Sequence, residues 1–296
     1  KLRNTRRIRW TVLLVPAMLM LIALSTRYLS HSMNLTPWQS SYRTTDFQAL
    51  LFSKRDGNSS GSLPSIPASP PNLPSPFPQA LDESLTTNFT TQLCVNFFTN
   101  MTASSAFRTC RPFSLLFQTS AAFIDQAQTN TTALNDILWG TCNTDTDAVT
   151  CSSNMAWFAD NIQQSCAEDM KANNALVRQT LSGLQTYDLY RSVSCLADQA
   201  TNTYCYLEAV ANLSPADLYV YSLPLGTQLP KNSTPSCSPC TKSVMGSFAQ
   251  AAPTNPQLNL VYNGAATITN SACGQGFVSI TSTSGGRMSH SSRGLG

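Results

Sequence analysis

Residues 151–166 read CSSNMAWFADNIQQSC. Cys151, Met155, Phe158, Ala159, Ile162 and Cys166 recur at the three- and four-residue steps of one helical face, and most of the intervening positions are polar. The expected fold class is mostly α: a single disulfide-stapled helical ectodomain that follows an N-terminal transmembrane helix and a disordered stalk.

The same period continues outward from this stretch. Met170, Val177, Leu181 and Leu184 extend the face into a further helix after a break. Upstream, Pro112 suits a first helical turn, and Phe113, Leu116, Phe117, Phe123 and Ile124 then fall on one apolar face. Thr131 or Thr132 can cap a short helix carrying Leu134, Ile137 and Leu138. Downstream, Leu207, Val210 and Ala211 extend a face begun near Tyr204, and Ser214-Pro215-Ala216-Asp217 has the form of a capped start. Residues 222–236 read as an ordered irregular loop. Val244, Met245 and Phe248 mark a helix after Cys237 and Cys240. Asn255-Pro256 opens a last helix, with Leu258, Val261, Tyr262, Ala265 and Ile268 inward and Gly274 as its stop. No comparable run alternates as strands do.

Beyond this core the chain changes character. Five basic residues (Lys1, Arg3, Arg6, Arg7, Arg9) precede the apolar run Trp10–Leu24, WTVLLVPAMLMLIAL, and no charge follows until Arg27. A helix over 10–26 spans about 25 Å, close to a bilayer's hydrocarbon core. The flanking charge predicts a cytoplasmic segment 1–9 and a lumenal or extracellular remainder, a type II arrangement. A cleaved signal peptide is the alternative, with small residues around Ala23-Leu24-Ser25. Residues 27–80 are read as a juxtamembrane stretch and Pro/Ser-rich stalk, seven prolines falling within 56–80. Lys54-Arg55 in that stretch is either a dibasic processing site or a pair of solvated charges. The ectodomain is assigned to 81–280, and the Ser/Gly-rich residues 281–296 to a disordered tail.

The chain's net charge of +3 hides an asymmetry. Residues 1–80 hold nine Lys/Arg against two Asp/Glu, whereas 81–280 hold seven against thirteen. The folded part is acidic and gives no basis for nucleic-acid binding. All ten cysteines (Cys94, Cys110, Cys142, Cys151, Cys166, Cys195, Cys205, Cys237, Cys240, Cys273) lie beyond the apolar run. An even count on the oxidising side reads as five disulfides of undetermined pairing. Seven Asn-x-Ser/Thr sequons fall on the same side, at Asn34, Asn58, Asn88, Asn100, Asn130, Asn212 and Asn232, and make the chain an expected glycoprotein.

Chemistry is harder to find. The only histidines, His31 and His290, lie outside the helical region, so histidine-based nucleophilic or zinc sites have no material within it. Cys237-Ser-Pro-Cys240 has the spacing of a redox pair, without the surrounding βαβ pattern. Asp145-x-Asp147 behind a type II anchor suggests a metal and sugar-nucleotide site of a lumenal glycosyltransferase, but no apolar strand precedes it. Ala148 also stands where a calcium loop needs glycine. Glu168-Asp169 fits a helix start. Tyr204, Tyr206, Tyr219 and Tyr221 fit either a sugar-stacking surface or a core. No catalytic residue, metal ligand or cofactor is assigned.

The order Phe97-Phe98, Cys110-Arg-Pro-Phe-Ser-Leu-Leu, Tyr204-Cys205-Tyr206, Asp217-Leu-Tyr-Val-Tyr-Ser-Leu-Pro-Leu-Gly226, Cys237-x-x-Cys240-Thr-Lys and Cys273-Gly resembles a fungal family of cysteine-rich, secreted or membrane-anchored proteins of unknown function. The resemblance covers roughly residues 81–280. It implies a fungal origin and a helical, disulfide-bonded ectodomain, and it carries no catalytic residue. The expected function is that of a non-enzymatic surface or wall-associated module, with a lumenal carbohydrate-active enzyme using Asp145 and Asp147 as the alternative. Expected partners are the membrane, through the N-terminal helix, and wall glycans or surface proteins.

Overall fold

The computed structural model describes residues 62–82 and 89–281. The segments assigned above to 1–9 and 10–26, the pair Lys54-Arg55, the sequons Asn34, Asn58 and Asn88, His31, His290 and the tail from 282 lie outside these residues. Of those described, 62 % are helical, in thirteen α-helices and one 3-10 turn. None of these helices is long and apolar enough to cross a membrane.

Helices α1 (Gln92–Ala103), α2 (Ser105–Arg108), α3 (Phe113–Thr119), α4 (Ala121–Thr129) and α5 (Thr131–Cys142) lead to the long α6 (Ala148–Ser165). The side chain of Asp147 caps α6 by accepting the Thr150 amide, and Cys151, Met155, Phe158, Ala159 and Ile162 are its buried face. The stripe that suggested a helix is thus the one that packs. It meets α8 (Ala175–Gln185) and the α1–α2 pair, with the short α7 (Ala167–Lys171) between. Gly183 on α8 permits a close approach of α3. A β-carbon there would come within 2.8 Å of Leu115 Cγ on α3.

The apolar face from Phe113 to Ile124 is divided between two helices. At Ser120 the backbone is extended (φ −100°, ψ 111°), and the hydroxyl caps α4 by accepting from the Phe123 amide. The same hydroxyl donates to Asp82 Oδ2 at 2.6 Å, and the Ala121 amide donates to Asp82 Oδ1 at 2.8 Å. A carboxylate from outside the helix therefore satisfies donors that a continuous helix would have used internally. All five apolar residues remain buried. Asn130, rather than Thr131 or Thr132, caps α5.

After α9 (Tyr187–Ser194), a hairpin of two-residue strands, β1 (Ala197–Asp198) and β2 (Thr203–Tyr204), pairs Ala197 with Tyr204 and Asp198 with Thr203. No alternating pattern announces so short a pair. Then come α10 (Cys205–Ala211), α11 (Ala216–Val220), a 3-10 turn over Leu223–Leu225, α12 (Pro239–Ala251) and α13 (Pro256–Cys273). Gly274 ends α13 at φ 98°, the left-handed region that glycine tolerates. One continuous core runs through both halves. Its centre is aromatic: Phe113 meets Tyr206 edge-on at 4.8 Å, Phe117 lies 5.2 Å from Tyr190, and Tyr206 meets Tyr221 at 5.0 Å. The Tyr190 hydroxyl donates to the Tyr221 carbonyl at 2.6 Å.

Ten cysteines form five disulfides: Cys94–Cys166, Cys110–Cys151, Cys142–Cys195, Cys205–Cys240 and Cys237–Cys273.

The expectation of a disordered stalk up to residue 80 fails for its described part. Residues 62–82 form a strap across the helices. The Ile66 amide donates to the Asn202 carbonyl at 2.7 Å, and Asn135 Nδ2 donates to the Ser65 carbonyl at 2.9 Å. Leu63, Ile66 and Phe77 pack against the core, and Ala80 and Leu81 are within it. Arg111 sits 4.4 Å above the Phe77 ring. Gly140 on α5 leaves room beneath the strap, since a β-carbon would approach Phe77 Cε2 to 2.9 Å. A proline-rich segment cannot make a core of its own. Its few apolar residues can join an existing one, and proline lowers the entropy lost in fixing an extended chain. The compact part therefore begins before residue 81.

Candidate functional site

Two concavities stand out among the described residues, and their chemistry is opposite. The larger, about 670 Å³, is an apolar groove between α1 and α6. Helix α1 contributes Leu93, Phe97, Asn100 and Met101, and α6 contributes Trp157 and Phe158. No ionisable side chain lines it. Leu93 is 61 % exposed and Trp157 59 %, unusual values for large apolar side chains grouped on one surface. The bridge Cys94–Cys166 joins the start of α1 to the residue after α6, and Cys110–Cys151 joins the turn after α2 to the start of α6. The groove is therefore clamped at both ends.

The smaller concavity, about 200 Å³, is polar and lies among α10, α11 and α12. Asp217 accepts from the Ser236 amide at 2.8 Å and from Asn212 Nδ2 at 2.7 Å. Glu208 accepts from Thr201 Oγ1 at 3.1 Å. Burial holds the Glu208 carboxyl above the usual carboxylate range; Asp198 and Asp217 add to the rise and the Thr201 hydroxyl opposes it. Asp198, Glu208 and Cys240 place ligand-type atoms within 4.8 Å of one another. The Cys240 sulfur is already bonded to Cys205, so it offers no thiolate to a metal.

The residues singled out in the sequence do not converge. Cys237 and Cys240 pair with Cys273 and Cys205 respectively, which removes the redox-pair reading. No cysteine is free. Asp147 is spent on the cap of α6, where the Thr150 hydroxyl and then the Thr150 amide hold its carboxylate below the ordinary range. Asp145 is exposed in the preceding turn and acts electrostatically on Arg111, whose burial lowers its affinity for a proton while Asp145 raises it. The two carboxylates thus differ: Asp147 is held in a helix cap and Asp145 faces solvent. Glu168 forms an exposed ion pair with Lys171 at 2.7 Å. Asp169 is buried and accepts from the Thr90 amide at 2.9 Å and from Asn174 Nδ2 at 3.0 Å, anchoring the approach to α1. Tyr204, Tyr206 and Tyr221 are buried in the core and Tyr219 is half-buried against it, so the four do not form a sugar-stacking surface. Burial pushes the Tyr204 phenol up to about 12.

Four sequons are described. Asn100 is exposed on the groove wall, and its side chain makes no hydrogen bond to another described residue. Asn130 is exposed, but its Oδ1 accepts from the Ala133 amide as the cap of α5. Asn212 is half-buried and uses both side-chain ends, towards Asp217 and the Ser214 amide. Asn232 is exposed in the loop before α12. The groove itself escaped the sequence reading. Its one signal is Trp157, a large aromatic set off the buried stripe of α6.

Fold and site together define a helical, fully disulfide-bonded domain with an apolar groove and no assembled catalytic set among the described residues. The chain belongs to the family described as "Domain of unknown function (DUF7729)", whose model matches residues 76–283. No curated protein and no solved structure matches it.

Proposed function

We infer that this protein is a lumenal or extracellular glycoprotein, tethered by its N-terminal helix or secreted, and that its domain serves as a non-enzymatic surface module. The supporting observation is the pairing of all ten cysteines, because bridges of this density form and persist in oxidising compartments. The basic cluster before Trp10 and the sequons beyond it agree with that placement. The commitment of Asp147, Asp169 and every cysteine to structural roles favours binding over catalysis. Wall glycans and neighbouring surface proteins are the partners such a module would meet.

The test is to determine the N-terminal residue and the thiol content of the mature protein in membrane and medium fractions. Retention of residues 10–26 in the membrane fraction, with ten oxidised cysteines, supports the tethered form. A start near Thr26, or at Asp56 after cleavage at Lys54-Arg55, supports the secreted form. A cytosolic protein with free thiols overturns the proposal.

A further inference from the structure

We propose that the apolar groove between α1 and α6 is the seat of this chain's own carbohydrate, an N-linked glycan on Asn100 that lies over Phe97 and Trp157. The inference rests on the secretory placement proposed above and extends it to one site and one structural task.

The geometry supplies the argument. Leu93, Phe97 and Asn100 follow one another at helical steps of four and three on α1 and all line the groove. The sugar attached to Asn100 would therefore leave the helix on the side where the exposed apolar surface lies. Of the four described sequon residues, Asn100 alone lines this groove. It is also free of the capping duty of Asn130 and the paired bonds of Asn212. Thr102, which completes the sequon, keeps its hydroxyl bonded within the helix to the Phe98 carbonyl at 2.9 Å.

The groove's chemistry suits a neutral sugar better than a charged ligand. It carries no ionisable lining, and Asn96, Asn154 and Ser104 stand at the apolar walls as hydrogen-bonding groups. A pyranose ring has the same division, apolar C–H faces and a hydroxyl rim. Laid against Trp157 and Phe97, it would remove apolar surface from water while its hydroxyls stay solvated.

Attachment is a group transfer onto the nascent chain, before α1 forms. The Asn100 carboxamide nitrogen bonds to C1 of the first N-acetylglucosamine of a lipid-diphosphate-linked oligosaccharide. The bond from C1 to the diphosphate oxygen breaks, the lipid diphosphate leaves, and one amide proton is lost. No oxidation or reduction occurs. Folding of α1 then places the sugar.

The full chain, produced in a eukaryotic secretory host, provides the test. Peptide mass analysis reads the occupancy of Asn100, Asn130, Asn212 and Asn232 separately. The folded glycoprotein is then deglycosylated under native conditions, and binding of the dye anilinonaphthalene sulfonate is compared before and after. The expected result is high occupancy at Asn100 and a several-fold rise in dye fluorescence on deglycosylation. Asn100→Gln should reproduce the rise without enzyme, and adding Trp157→Ser to Asn100→Gln should reverse it. An unmodified Asn100 beside modified Asn130 or Asn232 overturns the inference and leaves the secretory placement standing. No glycan at any sequon, with reduced cysteines, overturns both. Full occupancy at Asn100 with unchanged dye binding after deglycosylation overturns the seat. Because that comparison uses one folded protein, it holds even if a variant fails to fold.

Discussion

The first part of the domain, from Cys94 to Cys195, and the second, from Cys205 to Cys273, are stapled in different ways. Three bridges restrain the first: Cys110–Cys151 is nested within Cys94–Cys166, and Cys142–Cys195 interleaves with both. Two overlapping bridges, Cys205–Cys240 and Cys237–Cys273, restrain the second. None joins one part to the other. The parts are held together by side-chain packing, above all by Phe113 and Phe123 against Tyr206, and by the Tyr190 hydroxyl donating to the Tyr221 carbonyl. Covalent restraint is regional, whereas cooperativity is left to the aromatic core. The concavities divide in the same way, with the apolar groove in the first part and the polar crevice in the second.

The largest expected effect comes from the bridges. Cys94 and Cys166 are 72 residues apart and Cys237 and Cys273 are 36 apart. Loop-closure entropy then assigns about 4.4 kcal/mol to the first bridge and about 3.8 kcal/mol to the second. Replacing each pair by serine should lower stability by about these amounts in chemical denaturation, with the first pair costing more. A much larger loss from the second pair would reverse the comparison. Phe113→Ala, in the packing that joins the parts, should cost about 3–4 kcal/mol and leave all five bridges formed. Calorimetry should show one sharp transition in the parent and a broadened or split one in this variant; a transition as sharp as the parent's would mean that Phe113 does not couple the parts.

Within the first part, Gly183→Ala should destabilise by about 1–3 kcal/mol, because a β-carbon meets Leu115 on α3. An unchanged melting temperature would mean that α8 and α3 separate without cost. In the second part the smallest effect is expected at Glu208. Its carboxyl is raised in the folded state, so the native protein binds a proton more readily there than the unfolded chain does. The associated stability is fully present at low pH and is lost as pH rises through the folded value. Glu208→Gln should remove this decline with rising pH and leave the first part's thermal behaviour unaltered. A decline of equal slope in Glu208→Gln would place its origin in another group.

Much of the architecture was legible because helical spacing and burial share one cause. The stripe from Cys151 to Cys166, the inward set of α13 and its stop at Gly274 all follow from a face that must leave water. The break at Ser120 was not legible in the same terms, since Asp82 makes it favourable from 38 residues away. The strap was misread for a related reason. Its composition shows that it cannot form a core, not that it cannot join one. Of the candidate site, the sequon Asn100 was legible and Trp157 went unread, and their meeting across α1 and α6 depends on the bridges at Cys94 and Cys110.

Local pattern thus set the helical class, the even cysteine count and the acidic character of the folded part, because each depends on residue types and near neighbours alone. Cysteine pairing, the strap and the groove were set by folding in three dimensions. Each joins residues tens of positions apart, and such contacts are chosen by packing and loop closure across the whole core rather than by any stretch read alone.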